Sequence, residues 1–519
     1  MRHTRNESLW LATAQRPHQS PLAHSVEVDV VVVGGGVTGM TAALLLKRRG
    51  ATVAVVEMRR VGYGETGHTS AHLTELVDSR YVDIESDFGH DAARLVGESS
   101  RAAIEHIERW SSEFPCGFER VPAWLYAEGD EDAHGLEREV EAARGAGVAA
   151  RFTREVPLPF PVAGALRLEH QAQFHPMKYL RGIAREIPGG GCHLFEESRV
   201  VEVHDGEPCR VKLASGVELT ARSVLVTANV PVFNLLALHT KIAAYRSYVV
   251  AARGAKMPPP GLYFDTADPY HYTRRHEDER GALLLVGGED HKTGQCDDTE
   301  VPFTHLQRYV IERFGSEDIA YRWSGQIIKP ADGLPYIGRN SASDNVFVAT
   351  GFSGNGMTFG TVAGMMLSEA ALGRSMPWTD LYEATRMKVL GAVKDMLVEN
   401  VDYPVHLIGD RLAVPDRTAD DLAPGEGDVV LVGGRKLAVY CDERGTLHGL
   451  SPVCTHMGCH VAWNTTERSW DCPCHGGRFD AMGQVLNGPP VQPLEARPMT
   501  EPTGALVVDE NAEPTGALT

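Results

Sequence analysis

Cys454-Thr455-His456 and Cys472-Pro473-Cys474-His475, separated by 15 residues, each offer one cysteine and one histidine in the same order. Two thiolates and two imidazoles so spaced can hold a two-iron, two-sulfur cluster, with cysteines on one iron and histidines on the other. Such a centre moves electrons one at a time. Two Cys and two His also suit tetrahedral zinc, but zinc ribbons and fingers usually present paired-cysteine or paired-histidine loops. The mixed loops here favour the cluster.

The segments Cys454 to Cys459 and Cys472 to Asp480 closely resemble the two cluster loops of Rieske proteins, over roughly the last hundred residues. The resemblance implies Cys454, His456, Cys472 and His475 as ligands. It also implies a disulfide between Cys459 and Cys474, a pair found in the high-potential, cytochrome-type members and usually lacking in ring-hydroxylating oxygenases. Cytochrome-type loops continue with a serine and a tyrosine whose hydroxyls bond to sulfur, where this chain has Gly477 and Phe479. Fewer hydrogen bonds to sulfur stabilise the reduced cluster less, which sets an expectation of a lower potential.

Near the other end, the apolar run Val26 to Val33 enters Gly34-Gly35-Gly36-Val37-Thr38-Gly39, then a helical stretch and a second apolar run closed by Glu57. Strand, glycine turn, helix and strand with a terminal acid is the pattern that binds a dinucleotide: the turn admits the pyrophosphate and the acid accepts from a ribose hydroxyl. Downstream, Gly62 to Ser70, including Thr66, Gly67, His68 and Thr69, resembles the flavin-side loop of the glycine and D-amino-acid oxidase superfamily. The strand around Val200, the strand Arg222 to Asn229, the segment from Asp332 to Gly338, and Gly354-Asn355-Gly356-Met357-Thr358 resemble later FAD-contacting segments. The likeness implies FAD. Sarcosine-oxidase-like members carry a histidine and a carboxylate-pairing lysine where this chain has Asn355 and Thr358, so that clamp is absent. Arg246 and Arg274 are candidate replacements because a guanidinium grips a carboxylate bidentately. Tyr270 and Tyr272 are further candidates beside the substrate.

The elements needed to place these groups are legible in outline. The chain of 519 residues is too long for one core. An N-terminal extension (1–25) precedes an α/β (α+β) FAD-binding Rossmann-type domain with an interleaved substrate-side β-sheet (26–376). A helical connector (377–402), an all-β Rieske domain (403–511) and a tail (512–519) follow. Stretches at 244–250, 269–274 and 283–288 alternate like sheet, which the resemblance implies is the substrate-side sheet; Asp91 to Phe114 reads as an amphipathic helix. A formal charge of −19 argues against nucleic acid and anionic membranes as partners. No apolar window reaches a membrane span and no signal-peptide core precedes the first motif, giving an expectation of a cytoplasmic protein. Five further cysteines (Cys116, Cys192, Cys209, Cys296, Cys441) read as ordinary buried thiols.

A flavin takes two electrons from an organic substrate and releases them singly, while the cluster carries one. The combination points to oxidation of a small amine or amino-acid-like substrate and delivery of single electrons to a soluble acceptor. Reverse flow, from a soluble donor through the cluster to the flavin, and a non-catalytic redox carrier or sensor fit the same parts. His68, His72 and Glu75, if helical, would offer two histidines and a carboxylate to a mononuclear iron. The flavin-loop resemblance weighs against that.

Overall fold

The computed structural model describes residues 4–14, 18–233, 236–386, 415 and 417–499. Most of the expected connector (377–402), both ends of the expected Rieske domain (403–511) and the tail (512–519) lie outside them. The chain divides into two units: Met1–Lys292 with Glu300–Asn400, and Thr293–Thr299 with Val401–Thr519.

In the first unit, five parallel strands run in the order Val346–Thr350, Glu218–Val226, Val26–Val33, Val53–Val56 and His193–Phe195, with Tyr336–Arg339 antiparallel at one edge. Val31 and Val33 fill one face of the central strand while Val30 and Val32 fill the other, which is why the run is apolar throughout. The helix Val37–Arg48 follows the glycine turn and is built from good helix formers, with Lys47 and Arg48 at its negative end. It stops at Gly50, whose φ of +87° suits a residue without Cβ.

A second, mostly antiparallel sheet lies in the same unit, with Asp318–Pro330, Ile242–Arg253, Gly281–Lys292, His271–Asp278 and Leu262–Asp265 adjacent in that order. Its faces alternate with period two. Val249, Ala251, Leu283 and Leu285 join the main core with Leu73 and Met357, while Tyr248, Val250, Leu284 and Val286 pack with Phe303 and Leu306 of the helix Glu300–Phe314. The expected amphipathic helix is present as His90–Ser111.

The second unit contains a three-stranded and a four-stranded antiparallel sheet, Gly427–Val432, Arg435–Cys441 and Leu447–Leu450, then Ala462–Asn464, Ser469–Asp471, Arg478–Asp480 and Val485–Asn487. Its first segment, Thr293–Thr299, has no signal in the sequence. The Thr299 hydroxyl donates to Asn464 Oδ1 at 3.0 Å and lies 2.9 Å from Thr466 Oγ1.

Candidate functional site

The two loops that carry the cysteines and histidines repeat one geometry. The Cys454 N–H donates to Cys459 O at 2.8 Å and Gly458 N–H to Cys454 O at 3.1 Å; the Cys472 N–H donates to Gly477 O at 2.7 Å and Gly476 N–H to Cys472 O at 3.0 Å. Each loop therefore closes with i+5 and i+4 bonds about its first cysteine, and Gly458 and Gly476 supply the left-handed φ at the same place in each. Cys454 and Cys472 are 3% and 2% exposed, whereas His456 and His475 are only half-buried. The imidazole rings face edge to plane with centroids 5.0 Å apart.

The donor chemistry fits a two-iron, two-sulfur cluster. Cys454 and Cys472 lie close enough to share a hydrogen bond, which lowers the pKa of the Cys472 thiol and raises that of Cys454. Burial holds both imidazoles below their ordinary range, His475 at about 4 with His456 adding to the effect. They are neutral at pH 7, as ligands must be. Cys459 and Cys474 are joined to each other with Cα atoms 6.5 Å apart, and the sulfurs of Cys459, Cys472 and Cys474 lie within 4.8 Å of one another. A buried ion pair flanks the second loop: Arg478 Nε donates to Asp471 Oδ1 at 2.9 Å, and Asn464 Nδ2 to Asp471 Oδ2 at 3.0 Å.

In the first unit the glycine turn is held from both sides. Glu57, just past the second strand, accepts from Gly35 N–H at 2.7 Å through Oε2 and from Arg59 N–H at 2.8 Å through Oε1. Each oxygen keeps a lone pair for a ribose hydroxyl. Burial raises the Glu57 carboxyl above its ordinary range, against the lowering effect of those N–H groups. Gly36 caps the helix, Thr66 Oγ1 accepts from Val37 N–H at 3.1 Å, and Thr38 is buried behind the turn. A Cβ at Gly39 would stand 2.1 Å from Gly34 O, so only glycine permits this approach. These residues fit the dinucleotide part of FAD, with the helix N-terminus and glycines at the pyrophosphate and Glu57 at the ribose.

The flavin-side loop is fastened through its backbone. Ser8 Oγ donates to Gly67 O at 2.5 Å, Trp10 Nε1 to Thr69 O at 2.6 Å, and Trp323 Nε1 to His68 O at 2.9 Å. The N-terminal extension thus carries side chains of the site, a role its sequence did not announce. Arg274 Nη1 donates to Ser70 O and Ala71 O at 3.1 and 2.7 Å, and its guanidinium stands over Trp10. Arg246 donates to Ser324 Oγ and has the strand parity of Tyr248 and Val250, the face packed on Glu300–Phe314. Tyr270 and Tyr272 lie on the opposite parity with ring centroids 6.1 Å apart, and Tyr272 belongs to the main core.

Asn355 and Thr358 act as pegs. Asn355 Oδ1 accepts from Asp78 N–H at 3.0 Å and its Nδ2 donates to Leu76 O at 2.8 Å; Thr358 Oγ1 accepts from Thr74 N–H at 3.3 Å. Gly354 N–H donates to Asp78 Oδ2 at 2.6 Å, ahead of the helix Gly356–Ala370 in which Met357 is buried. Asp332 is held bidentately by Arg386, at 2.7 and 2.9 Å. Val200 begins a strand paired with Cys209–Leu213 and is buried.

The mononuclear-iron arrangement does not form. His72 lies in the strand His72–Leu73 rather than on a helix, and Glu75 is bound to Arg101 at 2.8 Å and to Gln171. Among the described residues, the only group of three or more His, Cys, Asp or Glu with donor atoms within 4.8 Å of one another is Cys459, Cys472 and Cys474, two of which are bonded to each other. Cys296 is half-exposed; Cys116, Cys192, Cys209 and Cys441 are buried thiols as expected.

A glycine-turn α/β fold with a substrate-side sheet, joined to a two-loop cysteine and histidine centre, defines a flavin and iron–sulfur oxidoreductase. The family comparisons agree: residues 29–370 match the FAD dependent oxidoreductase family and residues 413–498 the Rieske [2Fe-2S] domain. The chain belongs to the FAD dependent oxidoreductase family, with a C-terminal Rieske domain. It is 33% identical to the putative Rieske 2Fe-2S iron-sulfur protein YhfW of Bacillus subtilis, over 94% of this chain and 97% of that one. It is 27% identical to gamma-glutamylputrescine oxidoreductase of Escherichia coli, over 68% and 85%. Glycine oxidase from Geobacillus kaustophilus shares the fold of the first unit, with a TM-score of 0.58 at 20% identity over 70% of this chain and 99% of that one. No helix among the described residues is long and apolar enough to cross a membrane.

Proposed function

We propose that the protein oxidises a small amine or amino-acid-like substrate at the flavin and passes the electrons singly through the Rieske cluster to a soluble acceptor in the cytoplasm. The presence of both redox sites on one chain carries this reading, because a two-electron donor site needs a one-electron outlet only where the final acceptor takes single electrons. Bound FAD supplies the two-electron oxidation and single-electron release. The protein's own residues orient it: Glu57 and the glycine turn at the dinucleotide end, and the loop Glu65–His68 held by Ser8, Trp10 and Trp323. The amine class is supported by the gamma-glutamylputrescine oxidoreductase relative and by the use of Asn355 and Thr358 as backbone pegs rather than as a carboxylate clamp.

Cys454, His456, Cys472 and His475 hold the cluster in this reading, with the Cys459 to Cys474 bridge tying its loops in the oxidised protein. The histidines, half-buried where the cysteines are buried, support the histidine side as the exit. An anaerobic screen of amines, amino acids and hydroxy acids tests the proposal. Amines or amino acids are expected to bleach the flavin and then reduce the cluster; bleaching by hydroxy acids alone would contradict the substrate class.

A further inference from the structure

We propose that Asp290 recognises the ammonium group of a cationic amine substrate, within an arrangement completed by Ser247, Tyr270 and Tyr272. This rests on the amine-oxidising reading above and names the group that selects the substrate. The starting observation is a fault in the sheet. Between Ile242–Arg253 and Gly281–Lys292, Arg246 pairs with His291 but Tyr248 pairs with Gly288, so three residues advance on one strand against two on the other. Glu289 sits in this bulge at a φ of +55°, a conformation that a β-carbon disfavours. A bulge reverses the alternation and re-aims the next side chain.

The Glu289 carboxylate turns to His271 at 3.3 Å and to His305 of the helix Glu300–Phe314 at 2.9 Å. Asp290 is thereby sent to the other face, which it shares with Ser247. Across the neighbouring strand Ser247 pairs with Gly325, where an added Cβ would stand 3.0 Å from His68 O and 3.4 Å from Glu65 Oε2. That face therefore looks onto the loop fitted to the flavin.

Both Asp290 carboxylate oxygens and the Ser247 hydroxyl are buried, yet none completes a hydrogen bond among the described residues. Hydroxyls of Ser247 and Tyr270 lie near enough to bias the acid, and Ser247 likewise biases Tyr272, without closing a bond of full geometry. A buried carboxylate left this way is costly unless a ligand satisfies it. The charged neighbours are Lys329 and Asp78. Lys329 acts on both carboxylates and its ammonium lies over the Tyr245 ring, while Asp78 already accepts from Gly354 N–H. His72, edge-on to Tyr272, is held neutral by burial, so it supplies no cation. A ligand ammonium carries three donors and one positive charge; Asp290, the Ser247 hydroxyl and the tyrosine rings complement both.

Burial pushes the Asp290 carboxyl up to about 6. The sign follows: the carboxylate binds a cation only when ionised, so affinity rises with pH through that value and is level above it. The test titrates oxidised, flavin-replete protein with butylamine and with butan-1-ol, following the flavin absorption band. Butylamine is expected to bind at least about tenfold more tightly than butan-1-ol, and D290N to lose that preference while binding butan-1-ol as before. D290E is expected to recover part of it. Equal binding of butylamine by wild type and D290N, or no preference for the amine in the wild type, would overturn the assignment. Should D290N not fold, the wild-type pH profile decides, since an amine affinity with no step near pH 6 also overturns it. Amine-driven bleaching left intact in D290N sinks Asp290 alone; amine binding through Asp290 with no substrate bleaching the flavin sinks the oxidase reading alone.

Discussion

Glu57 and the pair Gly477 and Phe479 are the positions where single substitutions test cofactor binding and potential. Glu57 uses one lone pair on each oxygen to hold the glycine turn, so its removal loosens the turn as well as the ribose contact. Glu57→Ala is expected to weaken FAD retention by about 10- to 100-fold, the worth of hydrogen bonds to a charged group, with Glu57→Gln between, as equilibrium dialysis of the released flavin would measure. At the cluster, Gly477 and Phe479 are not equivalent losses of a hydroxyl. A Cβ at Gly477 would stand 3.7 Å from Cys454 Sγ but only 2.7 Å from Pro490 Cδ, so a serine there must displace the proline. Phe479 is fully buried opposite Trp470. Phe479→Tyr is expected to raise the cluster midpoint by adding a donor, whereas Gly477→Ser should lower cluster occupancy first; protein-film voltammetry with iron analysis separates the two.

At the scale of elements, what could be read in the sequence was whatever is repeated or periodic. The strand, turn and helix around Gly34, the two loops around Cys454 and Cys472, and the alternating strands of the substrate-side sheet follow from local spacing, and each stands where the spacing puts it. The bulge at Glu289 and the face of Asp290 were not legible, because register between strands far apart in sequence is a property of their pairing. Nor was Thr293–Thr299, seven residues that belong to the second unit although the first resumes at Glu300. Gly294 in that segment packs on the second cluster loop: an added Cβ would lie 2.8 Å from Pro473 N, 2.9 Å from Asp471 O and 3.1 Å from Cys472 C, all backbone atoms. Gly294→Ala is expected to shift the g values of the reduced cluster or lower its occupancy. Gly434→Ala, with a similar φ and open space around its Cβ, should cost only the strain of about 1–2 kcal/mol and leave the spin-resonance signal unchanged. Equal signals in both variants would remove Gly294 from the positioning of Cys472.

For the whole molecule, the proposed direction is that two electrons enter from an organic substrate at the first unit and leave singly from the second. The most direct measurement mixes the oxidised protein anaerobically with a substrate that bleaches its flavin, then quenches at intervals for optical and spin-resonance spectra. The account predicts that flavin bleaching comes first and that the rhombic signal of a reduced mixed-ligand cluster grows afterwards in the same sample, and is absent when Cys472→Ser and His475→Ala are combined. Bleached flavin with the cluster still oxidised after many turnovers' worth of time, or a cluster signal that precedes bleaching, would contradict it.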